Sequence, residues 1–292
     1  MRDFNFHRPQ SVADAVALLR ANDSAKLLAG GQSLLPVMKL GLAEPTDVVS
    51  LAAIAGAPGS GGLRDIRAEP ADHPDRPARL VIGALVTHDE VATSELVGRL
   101  IPGLAALAAG IGDAQVRNRG TLGGSLAHAD PAADYPAAVL ALGATIETDR
   151  RRIPADDFFT GLFTTALAAD EIITAVHFPV PERSAYAKFP HRASKYALVG
   201  VMVARLAGDP GTPGDPGDAG APAVRVAVTG AGSRAFRLPA LEASLTASFT
   251  PDAAGQIAGL APEDLWSDRE ASAEYRAHLV TVMARRAIQA CL

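Results

Sequence analysis

The chain has 292 residues, 48% of them apolar and 20% charged, with a net charge of −5. That make-up predicts roughly two domains with full cores, and an acidic balance without a basic tract argues against nucleic acid as a partner. The single cysteine, Cys291, excludes an internal disulfide, a four-cysteine zinc site and an iron–sulfur cluster held by this chain alone. No run approaches about 18 consecutive apolar residues, so no transmembrane segment is expected. The polar start MRDFNFHRPQ does not read as a signal peptide, which makes the cytoplasm the expected compartment.

Residues 3–7 alternate polar and apolar and predict a short strand. Ser11 then precedes Val12, Ala15, Val16, Leu18 and Leu19, the spacing of a capped helix. Residues 26–29 predict a brief strand that runs into Gly30-Gly31-Gln32-Ser33. A short helix or turn at 34–40 follows, with Ser33 as its cap. Residues 48–51 predict a strand. The Gly-, Pro- and charge-rich stretch 55–79 predicts a hairpin strand near 63–67 and a solvated loop, including an insertion at 72–79. Residues 80–85 predict another strand. Thr87-His88-Asp89-Glu90 fits a capping box that opens a helix through residue 97. Residues 101–111 predict a further helix.

Residues 113–136, DAQVRNRGTLGGSLAHADPAADYP, are the stretch around which the chain is organised. Gly120, Gly123 and Gly124 permit tight turns and close approach, and as a loop they would leave amides free for an anion. Asp130–Pro131 reads as a helix start. The residues alone leave two readings open: an ordinary strand-to-helix turn, or a phosphate site without lysine. His88 and His128 lack a second ligand at metal-binding spacing, so hydrogen-bonded or surface roles are expected.

Beyond it, 136–142 predict a helix ended by Gly143, 144–148 and 172–178 predict strands, and Pro179 and Pro181 mark a boundary. Strands follow at 186–189, 198–206 and 224–229, with a low-complexity loop at 208–222. Helices at about 239–248 and 269–291 close the chain, an α+β pattern.

Leu28-Ala29-Gly30-Gly31-Gln32-Ser33-Leu34-Leu35-Pro36, followed about ninety residues later by Gly120-Thr121-Leu122-Gly123-Gly124-Ser125, resembles the FAD-binding medium subunit of molybdenum hydroxylases. That is the carbon monoxide dehydrogenase and xanthine dehydrogenase group. The segment from Asp157 to Leu167 is similar to the same pattern, and the resemblance covers nearly the whole length. It implies a two-subdomain FAD-binding fold of the vanillyl-alcohol oxidase and cresol methylhydroxylase type over residues 1–178, divided at about 54. A small α+β C-terminal domain over 183–292 would follow.

By the same resemblance, Leu28, Ala29, Gly30, Gly31, Gln32, Ser33 and Leu34 surround the FAD pyrophosphate together with Thr121, Gly123, Gly124 and Ser125. Asp134 bonds the ADP half or the ribityl chain, and Ile173 lies near the ring system. Lys188 and Tyr196 reach toward the isoalloxazine from the second domain. Gln32 stands where many relatives have His, and Pro190 where basic residues are frequent. No residue is assigned as acid, base or nucleophile.

The implied partners are a small 2Fe–2S subunit and a large molybdopterin subunit in a dimer of heterotrimers. Electrons would pass from the iron–sulfur clusters to an external acceptor such as NAD or a quinone. Two rival readings are a self-sufficient NAD(P)H-linked flavin oxidoreductase and a non-catalytic nucleotide-binding protein.

Overall fold

The structure is a computed structural model that describes residues 2–56, 62–70, 79–207, 223–256 and 260–292. The loop expected at 208–222, and the insertion expected at 72–79 except for Arg79, lie outside those residues.

The N-terminal unit comprises β1 (Asn5–His7), α1 (Val12–Ala21), β2 (Ala25–Leu28), α2 (Leu34–Lys39) and β3 (Asp47–Ser50). Its strands form a parallel sheet in the order β1-β3-β2. The Ser11 hydroxyl accepts from the Asp14 amide at 3.0 Å, which starts α1 as expected. The apolar stripe Ala15, Val16 and Leu19 then packs against Ala25, Val49 and Leu51. Ser33 makes no side-chain cap. Instead α2 is entered through Gly31, whose φ of +78° is a turn that favours glycine.

The middle unit holds β4 (Ile66–Glu69), β5 (Arg79–Gly83), α3 (His88–Thr93), α4 (Glu95–Leu100), α5 (Pro102–Ala109), α6 (Ala114–Arg117), α7 (Leu122–His128) and α8 (Tyr135–Ala141). It continues through β6 (Thr145–Thr148), β7 (Arg152–Pro154), α9 (Ala155–Phe158), β8 (Phe159–Gly161), β9 (Thr164–Thr165) and β10 (Ile173–Pro179). The capping box forms, with Thr87 and Glu90 bonding each other's backbone amides. The helix it opens stops at Ser94 rather than running through 97, because Ser94 is extended and its hydroxyl caps α4 instead. The strand expected at 63–67 forms at Ile66–Glu69, and Leu63 is buried in the N-terminal core. An antiparallel sheet in the order β4-β5-β10-β6-β7 results. Leu80, Ile82, Ile146, Val176 and Phe178 join Leu104, Leu107, Leu126 and Tyr135 in the main core.

The C-terminal unit is an antiparallel sheet of β11 (Arg183–Pro190), β12 (Ala197–Leu206), β13 (Ala223–Thr229) and β14 (Phe236–Arg237), with α10 (Pro239–Ala247) and α11 (Ala273–Cys291). The Ser272 hydroxyl caps α11, so that helix begins later than the expected 269. Both faces of this sheet are buried. Val199, Val201 and Val203 face Leu279, Met283 and Ile288, while Met202, Ala204 and Ala227 belong to the main core. Buried Arg225 spans that second face, with Nη2 2.7 Å from Asp156 and Nε donating to the Leu140 carbonyl at 3.0 Å. The result is an α+β chain whose three larger sheets, with the two-stranded β8–β9 hairpin, meet around one cleft.

Candidate functional site

The cleft measures about 620 Å³ and lies where the turn after β2, the start of α7, the start of β10 and the β11–β12 hairpin converge. Pockets for cofactors and other small molecules have roughly this size. Of the residues expected at a cofactor site, Ala29 through Leu34, Thr121, Gly123, Gly124, Ser125, Asp134, Ile173 and Tyr196 line it. Leu28 and Lys188 are not among the lining residues. The cleft also includes His88, His128, Phe163, Glu171 and Lys195, which the sequence reading did not assign to it. Only tertiary contact brings these residues together, so no local spacing marked them.

The two glycine clusters do different work. The backbone N–H groups of Gly30, Gly31, Gln32, Ser33 and Leu34 have no hydrogen-bond partner among the described residues. A run of unpaired donors beside a left-handed glycine is a nest for an anion. The second cluster is not the open loop expected at 120–125. Thr121 caps α7, and the helix absorbs Gly123 and Gly124. Its amides are already occupied: Leu122 donates to Val86 O, Gly123 to Ala84 O, and Gly124 to the Thr121 hydroxyl.

What the second cluster needs from glycine is close packing. A Cβ on Gly123 would lie 2.6 Å from Ala84 Cβ, and one on Gly120 would lie 2.5 Å from His88 Nε2. Gly30 closes the gap between the clusters, since a Cβ there would sit 1.8 Å from the Arg119 carbonyl oxygen.

Asp130–Pro131 does not start a helix. Left-handed Ala129 ends α7, and Asp130 Oδ1 accepts from Ala132 N at 2.8 Å to fold a turn. The C-terminal unit holds this turn in place. Gly230 N and the Thr229 hydroxyl donate to Pro131 O at 2.7 and 2.8 Å, the same hydroxyl reaches Ala133 O, and Ala197 N donates to Ala132 O. Helix α8 begins only at Tyr135.

Asp134, at the cleft edge, is 5% exposed and accepts from the Tyr186 hydroxyl. Lys188 Nζ lies 3.0 Å from its Oδ1 and also donates to the Gly110 and Lys195 carbonyls. Burial pushes the Asp134 carboxyl up, against Lys188 and Tyr186, which favour its charged form. Lys188 therefore ties the cleft edge to the tip of the β11–β12 hairpin and to the end of α5. Gly200, opposite Lys188 on β12, leaves room for the Tyr186 hydroxyl, which a Cβ would meet at 2.1 Å.

His88 packs against Tyr135 with ring centroids 5.3 Å apart and a 53° tilt, and burial, with Arg117 nearby, pushes its pKa down to about 4. Neutral imidazole is therefore its resting state at neutral pH. Glu171 lines the cleft with its carboxylate fully engaged by Arg151, the Thr148 hydroxyl and the Ala168 amide. The Arg151 guanidinium leads in holding it down to about 2. Among the described residues no group of three or more His, Cys, Asp or Glu side chains is placed to hold a metal, and no helix is long and apolar enough to cross a membrane.

These residues fit a dinucleotide diphosphate: the cleft has the size, and the 30–34 turn supplies donors with nothing else to bind. Comparison with known proteins points the same way. The family described as "FAD binding domain in molybdopterin dehydrogenase" matches residues 2–181, and "CO dehydrogenase flavoprotein C-terminal domain" matches 184–291. The nicotine 6-hydroxylase medium subunit of Paenarthrobacter nicotinovorans is 38% identical over 288 residues, covering 96% of this chain and 94% of that one. The carbon monoxide dehydrogenase medium chain of Hydrogenophaga pseudoflava is 33% identical over 299 residues, covering 98% and 96%. A crystal structure of the Cu,Mo-CO dehydrogenase in its cyanide-inactivated form superposes with a TM-score of 0.85 at 30% identity, over 99% of this chain and 98% of that one. The chain thus belongs to the FAD-binding medium subunits of the molybdopterin dehydrogenases, the flavoprotein components of oxidoreductases of the carbon monoxide and xanthine dehydrogenase type.

Proposed function

We propose that this chain holds FAD as the electron outlet of a three-subunit molybdenum hydroxylase, with residues 1–178 as the FAD-binding domain and 183–292 as the C-terminal domain. The observation that carries the reading is the row of unpaired amides at 30–34, in residues that line the cleft. When bound, FAD takes up electrons in pairs or singly, and so links two-electron to one-electron chemistry. The chain's own residues bind and orient. The amides of Gly30 to Leu34 donate to the diphosphate, where they need no lysine to balance the charge. Asp134 sits where a ribose or ribityl hydroxyl can donate to it, its charge steadied by Lys188 Nζ. Ile173 and Tyr196, both lining the cleft, offer apolar and aromatic contact that would shield a ring from water.

With only Cys291 available, iron–sulfur clusters feeding this site belong to another chain. A small 2Fe–2S subunit and a large molybdopterin subunit are the partners proposed, in a dimer of heterotrimers. NAD or a quinone would be the external acceptor and the cytoplasm the compartment. Purified alone, the chain should take up FAD that dithionite reduces and acid precipitation releases. It should oxidise no carbon monoxide, purine or aldehyde until co-expressed with the two partners. Substrate turnover by the isolated chain at the rate of the complex would refute the subunit reading. Failure to take up FAD would refute the cofactor reading.

A further inference from the structure

The β8–β9 hairpin carries a feature that the binding of a diphosphate leaves unexplained. Gly161 pairs with Thr164, so Leu162 and Phe163 form a two-residue loop. Phe163 occupies its second position with φ +51°, left-handed backbone where glycine or asparagine is the ordinary occupant. A bulky residue persists there only when the surroundings hold it. The hairpin base does hold it. Ala166 N donates to Phe158 O at 2.9 Å, Arg234 donates to Phe159 O, and Phe158 and Phe159 are buried in the main core.

The Phe163 ring gains little from this position within the chain itself. It is 50% exposed, lies outside the core, and its aromatic neighbour is His128 at 5.2 Å and 50° tilt. Both residues line the cleft. An aromatic kept half-exposed at a strained loop position beside a cofactor-sized cleft is placed for a ligand.

We propose that Phe163, backed by His128, is the platform on which one of the two planar ring systems of the bound dinucleotide packs. This rests on the FAD reading above. It makes Phe163 a cofactor-contact residue, and it makes the strained turn a device for holding the ring ready before the cofactor arrives.

The test is fluorescence titration of the FAD-stripped chain with FAD, FMN and ADP, for the wild type and for Phe163→Tyr, Phe163→Leu and Phe163→Gly. The turn accepts glycine without strain, so Phe163→Gly should fold with an unchanged or higher melting temperature. Its FAD affinity should nevertheless fall about tenfold, and Leu should lose a similar factor, while Tyr should keep the wild-type value. The loss should extend to FMN alone if the ring served is the isoalloxazine, or to ADP alone if it is adenine; either result supports the platform. Wild-type affinity for FAD in the Gly or the Leu variant would overturn it. Wild-type protein that binds no FAD would instead overturn the underlying reading, whatever the variants do.

Discussion

Replacing Gly30 with alanine probes the junction of the two glycine clusters directly. The added Cβ would lie 1.8 Å from the Arg119 carbonyl oxygen, 2.6 Å from the Arg119 carbonyl carbon and 3.0 Å from Gly120 Cα. All three are backbone atoms, so no rotamer change relieves the overlap, and the clusters must part by more than an ångström. Overpacking of this kind costs roughly 1–3 kcal/mol. The 30–34 turn has no hydrogen bonds of its own amides to resist displacement, so it is the element that moves. If its displacement is charged to cofactor binding, the dissociation constant for FAD rises about 5- to 150-fold. The assay is flavin-fluorescence titration of stripped protein, with thermal melting alongside. Gly98→Ala in α4 is the control, because a Cβ there meets nothing within 4 Å; it should be neutral or stabilising by up to about 1 kcal/mol. If Gly30→Ala keeps both wild-type FAD affinity and wild-type melting temperature, the close-packed junction does not control the site.

Asp134→Ala should leave the Lys188 ammonium buried without its carboxylate and cost about 3–5 kcal/mol in urea unfolding, with FAD affinity falling in parallel. Asp130→Ala loses one turn hydrogen bond and should cost only about 1 kcal/mol; the opposite order would reverse the two assignments. His88 is neutral in the fold, with its pKa at about 4 against an ordinary 6.5. The unfolded chain binds the proton first on acidification, so stability should fall by on the order of 3 kcal/mol between pH 6.5 and 4. A His88→Gln variant with the same slope would discount that source. The depressed pKa of Glu171, about 2 against 4.5, contributes stability that is present above pH 4.5 and lost as pH falls toward 2. Glu171→Gln should remove on the order of 3 kcal/mol of that acid-dependent loss, measured as a flatter stability curve below pH 4.5.

Some local signals survive folding intact. The capping box at Thr87 and the Ser11 cap formed because each depends on residues within one turn, and the apolar stripe of α1 formed because its spacing matches one helix face. The glycines at 120–124 misled for a physical reason. Glycine marks both exposed loops and tight helix packing, and only the positions of Ala84 and His88 tell the two apart. Asp130–Pro131 looked like a helix start because the pair suits one. The carbonyls that would have begun that helix are instead taken by Thr229, Gly230 and Ala197, from a sheet more than sixty residues further on.

From sequence alone came the α+β class, the family resemblance through two glycine motifs, and the inventory in which one cysteine cannot by itself hold an iron–sulfur cluster. These depend on composition and short-range pattern. The tertiary structure decided which amides remain free for an anion, that Lys188 is committed to Asp134, and that His128 and Phe163 share the cleft. The reason is that a donor or charge becomes available only after folding has distributed its partners. Here those partners come from strands and helices far apart in the chain, and no local spacing records them.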